Sequence, residues 1–176
     1  PKPPKVEPVP ATQSHEALKL RMMELLERMG YKESCESLRT FKVNGRSYQQ
    51  LGFFRLPTNT AEVDIVRRKQ EERKDGRLKH HYAICEIKSG RDKTGPKDVL
   101  HFLRKCEDLR AIIEEQDSKL PQVLKPEYCL LFLSYSGFDD SVGRVLAKTN
   151  LPSRLKLERL NIYTFNQMLR EHNLPL

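Results

Sequence analysis

The chain has 176 residues, 38% of them hydrophobic and 32% charged, enough for one domain of ordinary size with a continuous core. Lys and Arg number 32 against 24 Asp and Glu, a net charge of +8 that favours a polyanionic partner over an acidic protein or a neutral metabolite, with plain solubility as the alternative. No apolar run approaches the roughly twenty residues that cross a bilayer, and the N-terminus lacks a signal-peptide layout. The expectation is therefore no membrane partner and an intracellular location, cytoplasmic or nucleoid-associated.

The opening PKPPKVEPVP is half proline, which removes backbone donors and fixes φ, so residues 1–13 read as a linker or tail. The first residue is not Met, which suits a domain from a longer protein, with its other domains as partners; trimming explains it equally well. Residues 14–176 then form the folded unit. Ser14 is placed to cap a helix over residues 15 to about 29, where Leu18, Met22, Leu25, Leu26 and Met29 recur at helical spacing and Gly30 supplies the stop.

Asn44-Gly45 between Phe41-Lys42-Val43 and Arg46-Ser47-Tyr48 predicts a tight hairpin, read as strands at a sheet edge. Residues 61–69 and 80–89 read as two antiparallel strands joined by a charged tip around Asp75-Gly76. Gly95-Pro96 opens a helix over residues 97–116, with Val99, Phe102, Leu103, Cys106, Leu109 and Ile113 in one stripe and Arg104, Lys105 and Arg110 off it.

The nearly unbroken apolar run 128–135 is a central strand. A short helix capped by Asp139 or Asp140 runs to about residue 148, a last strand covers 160–165 and a terminal helix 166–173. The order is α-β-β-β-α-β-α-β-α, an α/β fold with a mixed sheet flanked by helices. Cys35, Cys85, Cys106 and Cys129 are widely spaced and form no C-x-x-C pair, as expected of reduced core thiols in a reducing compartment. His80 and His81, neighbours on one strand, point to opposite faces and read as surface or strand-edge residues rather than a chelating pair.

Within the two middle strands, Glu62-Val63-Asp64-Ile65 and Glu86-Ile87-Lys88-Ser89 put charges where burial is expected, and buried carboxylates are costly without partners. Side-chain alternation aims Glu86 and Lys88 at one face, and hairpin pairing brings Asp64, 22 positions earlier, alongside. Two carboxylates and an ammonium suit phosphodiester hydrolysis. The carboxylates hold Mg²⁺ or Mn²⁺, while Lys88 orients the attacking water or stabilises developing charge. The alternative is a one-sided sheet with Glu86 and Lys88 in solvent and Asp64 in an ordinary salt bridge.

Followed by Asp98-Val99-Leu100-His101-Phe102-Leu103-Arg104-Lys105, this arrangement resembles the PD-(D/E)XK (restriction-endonuclease-like) nuclease superfamily, and within it a nuclease-like subgroup pairing E-V-D-I with E-I-K-S. Val63 stands where the superfamily's name has proline. The resemblance implies an α-β-β-β-α-β core followed by a helix-strand-helix extension. It also implies Asp64 and Glu86 as metal ligands with the Ile87 carbonyl as a third, and Lys88 as the catalytic lysine. Many members add a Glu from the first helix; Glu16 and Glu24 are the candidates.

Arg67, Arg68 and Lys69 on the hairpin, and Arg104 and Lys105 on the following helix, are candidate nucleic-acid contacts through phosphate. The expected function is a metal-dependent nuclease with DNA preferred to RNA, acting as a monomer or a homodimer. The alternatives are a nuclease-like fold kept as a nucleic-acid-binding or assembly module, and a protein–protein surface around the long helix. No phosphate loop, G-x-G-x-x-G, G-x-S-x-G or H-E-x-x-H is present, and 7% aromatic content without Trp argues against a base-stacking platform.

Overall fold

The computed structural model describes residues 13–35, 38–57 and 62–176. The predicted linker, apart from residue 13, and the expected strand start at residue 61 lie outside them. Helix α1 is His15–Arg28; the Ser14 hydroxyl accepts from the Ala17 N–H at 3.1 Å, satisfying one orphan donor of the first turn. Gly30, at φ +97°, ends it as expected.

The strands divide between two sheets. β1 (Glu33–Ser34), β5 (Ile65–Glu72), β6 (Leu78–Lys88), β7 (Glu127–Ser134) and β8 (Leu155–Leu160) form a five-stranded sheet in the order β1-β5-β6-β7-β8. Pairing is antiparallel from β1 to β6 and parallel from β6 to β8, so the fold is mixed α/β. Along this sheet the order is α1, β1, β5, β6, α2 (Pro96–Asp117), β7, then α3 (Asp140–Ala147), β8 and α4 (Ile162–Glu171). The predicted α-β-β-β-α-β core and helix-strand-helix extension are both present.

The remaining strands, β2 (Leu38–Val43), β3 (Arg46–Leu51) and β4 (Phe54–Pro57), make a separate antiparallel sheet. The Asn44-Gly45 hairpin forms with both residues at positive φ (50° and 76°), as its turn demands. Of the two strands expected at a sheet edge, β2 is at the edge of this small sheet, whereas β3 is central, paired with β2 and β4. Leu51, Phe54 and Leu56 then join Val66, Tyr82 and Ile84 in one core.

Strand alternation creates two cores, one on each face of the main sheet. Ile65, Ala83, Cys85, Ile87, Leu131 and Leu133 meet Leu18, Met22, Leu25 and Leu26 of α1 and Phe165 and Leu169 of α4. On the opposite face Val66, Tyr82, Ile84, Leu130 and Phe132 meet the predicted stripe of α2 and Val142 of α3.

The C-terminal expectation is corrected. Residues 162–165 are helical, because the Asn161 side chain accepts from the Thr164 N–H at 2.9 Å while the Thr164 hydroxyl takes the Asn161 N–H. Ile162, Phe165 and Leu169 fall on one face at helical spacing, so the apolar residues read as a strand belong to a helix. Asp139 is the cap residue of α3 but makes no side-chain capping bond.

His80, expected at the surface, is buried, with Nδ1 at 3.4 Å from the Asp117 carboxyl; the pair ties the end of α2 to β6. His81 does face the other way, toward Glu71 and Glu127. Cys35, Cys85 and Cys106 are buried and Cys129 half-buried, all as free thiols. No described helix is long and apolar enough to cross a membrane.

Candidate active site

The β5–β6 register pairs Ile65 with Cys85 and Val66 with Ile84. One step further along the same antiparallel ladder sets Asp64, the residue before β5, opposite Glu86. Because Val66 and Ile84 face α2, Asp64 and Glu86 do as well. The two carboxyls share a hydrogen bond, Asp64 Oδ2 also accepts from the Ile87 N–H at 2.7 Å, and Asp64 Oδ1 lies 3.3 Å from His15 Nε2.

These contacts separate the two acids electrostatically. Burial, and after it the bond to Asp64, pushes the Glu86 carboxyl up to about 7, against a smaller opposing pull from Lys105. For Asp64 burial also acts upward, but the bonds from Glu86 and the Ile87 N–H, together with His15, outweigh it and hold the acid below its ordinary value. Of the two, Glu86 is thus the one that holds a proton more readily.

Lys88 is on the same face two residues beyond Glu86. Its side chain is exposed, and among the described residues its ammonium makes no ion pair. An extended residue directs its N–H and C=O to the same side, so Ile87 turns its carbonyl toward the Asp64 side of β6 as well. Asp64, Glu86 and the Ile87 backbone are thus in contact, and Lys88 is on the same face of β6 as Glu86.

The first-helix acids are not part of this cluster. Glu16 is 80% exposed and its contact is His15, at 3.9 Å. Glu24 pairs with Arg21 at 2.6 Å, about 13 Å along the helix from His15.

The basic candidates divide in a way that the sequence did not indicate. Arg68 pairs with Glu33 and stacks on the Phe53 ring, while Lys69 lies over the Tyr31 ring at 4.6 Å on the opposite face. Arg67, partly buried and opposite Ser34, is on the face of Lys69. The three candidates are thus divided between the two faces of the sheet, and Arg68 and Lys69 each have a partner within the chain. Arg104 is exposed. Lys105 turns inward, its ammonium donating to Glu86 Oε2 and to the Glu62 carbonyl, each at 3.0 Å.

The sequence reading missed His15 and the inward course of Lys105. The only hint for Lys105 was its place beside Cys106 at the border of the apolar stripe. His15 gave none, since its meeting with Asp64 depends on where α1 lies over the sheet.

The donor set suits a hard cation. Two carboxylates with a neighbouring backbone carbonyl match the way Mg²⁺ is held, with one or two protein carboxylates and the remaining positions left to water and substrate phosphate. Among the described residues no group of three or more His, Cys, Asp or Glu forms an all-protein cage. Glu86 is buried beneath Lys105, Asp64 is half-buried and Lys88 is exposed; a cleft of about 820 Å³ lined by Phe53, Arg68 and Asp117 is at the far end of α2.

No protein-family model matches the chain, and comparisons with curated proteins and with solved structures find no match.

Proposed function

We propose that the chain is a metal-dependent nuclease of PD-(D/E)XK type, hydrolysing phosphodiester bonds in DNA in preference to RNA. The observation that carries this reading is the hydrogen-bonded Asp64–Glu86 pair on one sheet face, with the exposed Lys88 two residues beyond. Buried carboxyls held side by side are costly, and an isolated structural role would be served as well by apolar residues. A site that takes a divalent cation gives both carboxyls a role.

Asp64 and Glu86 would hold Mg²⁺ or Mn²⁺ with help from the Ile87 carbonyl. When bound, the ion supplies polarisation of the phosphate and acidification of a coordinated water. Asp64 is held ready as a carboxylate by the Ile87 N–H and His15. Lys88 reaches into solvent, where it can orient the attacking water and stabilise charge developing on the phosphate. Exposed Arg91, Lys93 and Lys97, following Lys88 in the chain, are suited to gripping neighbouring phosphates without reading bases.

The test is cleavage of labelled single- and double-stranded DNA and RNA with Mg²⁺, Mn²⁺ or EDTA. Lys88→Ala and Asp64→Ala are run beside the wild type, and circular dichroism checks that they fold. Metal-dependent cutting should fall at least about a hundredfold in either variant. Cutting that survives both changes defeats the proposal. Tight binding without turnover on any substrate points instead to a nuclease-like fold that serves as a nucleic-acid-binding or assembly module.

A further inference from the structure

We infer that Lys105 is a built-in counter-cation of the carboxylate pair, occupying the Glu86 oxygen that a divalent metal needs and having to leave it before the metal binds. The inference rests on the reading of Asp64 and Glu86 as metal ligands.

Lys105 is on α2 next to Cys106, whose side chain is buried against the sheet, so its stem starts at the border of the core. Side chains on a helix lean toward its N-terminus, which carries the ammonium over the start of β5 and the end of β6. There it donates to Glu86 Oε2 and to the Glu62 carbonyl at 3.0 Å each, and the two ionic side chains are only 14% and 10% exposed. A carboxylate oxygen and a backbone carbonyl are the oxygen donors that a hard cation also seeks.

Two consequences follow. Charges this enclosed are costly when single, so Lys105 and Glu86 stabilise each other in the metal-free protein. An ammonium and a divalent cation on one carboxylate oxygen, however, repel each other over a few ångströms, and in a partly buried site that repulsion is large. Metal binding therefore has to overcome the lysine. Once displaced, the ammonium remains tethered beside the ion, where a phosphate oxygen is its natural partner. Lys105 is thus a positioning residue that sets metal affinity, whereas its neighbour Arg104 stays in solvent.

The experiment is a Mn²⁺ titration of the full chain, following free Mn²⁺ by electron paramagnetic resonance, with melting temperatures recorded with and without the ion. Lys105→Met keeps the apolar stem; Lys105→Gln removes the charge but keeps a hydrogen-bond donor and stands in if the methionine variant fails to fold. Asp64→Asn controls for site-specific binding. The neutral variants should bind Mn²⁺ about tenfold more tightly than the wild type and melt lower without it, with Mn²⁺ closing the gap. Equal or weaker Mn²⁺ binding in the variants, while the wild type binds in an Asp64-dependent way, overturns the inference and leaves the metal site standing. If no protein binds Mn²⁺ in an Asp64-dependent way, the metal site itself fails, and the inference with it.

Discussion

Glu86 and Asp64 are the same chemistry in adjacent positions, yet their surroundings pull them apart. Glu86 is raised from 4.5 to about 7, by burial first and by Asp64 second. Between those values the folded chain holds more protons than the unfolded one, so stability falls as pH rises through the window and levels off above it. Asp64 is displaced downward from 3.8, chiefly because Glu86 and the Ile87 N–H outweigh its burial. Its stabilisation is present above that value and is lost as pH drops through its lower folded value. Together the two place greatest stability near about pH 4, between the ordinary values of the two acids. Glu86→Gln mimics the protonated acid at every pH, so it should flatten the decline between about pH 5 and 8, a difference on the order of 2 kcal/mol. Melting curves of both proteins across that range decide it: an undiminished decline in the variant would remove Glu86 as the source.

At the level of elements, the small sheet depends on one close approach. Gly52, at φ +56° between β3 and β4, lies so near the chain after β1 that an added Cβ would stand 2.6 Å from the Cys35 Cα. Backbone cannot yield as a flexible side chain can, and the left-handed conformation adds strain for any other residue. Gly52→Ala should therefore cost about 2 kcal/mol or more, detectable as a lowered urea midpoint, with Leu51 and Phe54 losing their seat in the core. An unchanged midpoint would mean that this sheet moves freely relative to the main one. Gly52 escaped the sequence reading because its constraint comes from Cys35, on a different stretch of chain. The Asn44-Gly45 turn was legible because its constraint is local. The same distinction explains the C-terminus: Ile162 and Phe165 fit either period over a short window, and the Asn161–Thr164 cap settles the choice.

For the whole molecule, the proposed nuclease function, taken with an excess of +8 charges and the exposed Lys88, Arg91, Lys93 and Lys97, predicts that phosphate contacts supply the largest part of nucleic-acid affinity. About four such contacts on duplex DNA would weaken affinity roughly a hundredfold between 50 and 200 mM salt, and Arg91→Ala with Lys93→Ala should cut the logarithmic slope by about two. Fluorescence anisotropy with a labelled duplex in EDTA measures both, and a slope unchanged in the double variant would move the contact surface elsewhere. The sequence by itself determined the two strands that carry Asp64, Glu86 and Lys88, the long amphipathic α2, the central β7 and the shared face of those three residues. These follow from periodicity, turn chemistry and alternation, all of which act between near neighbours in the chain. Only the tertiary structure decided that His15 rather than Glu16 meets Asp64, that Arg68 and Lys69 are spent on internal partners, and that Lys105 turns in to Glu86 while Arg104 does not. The physical reason is common to all three: a charged side chain takes whichever opposite charge or ring the packed elements bring within reach, and that is settled by how the layers stack.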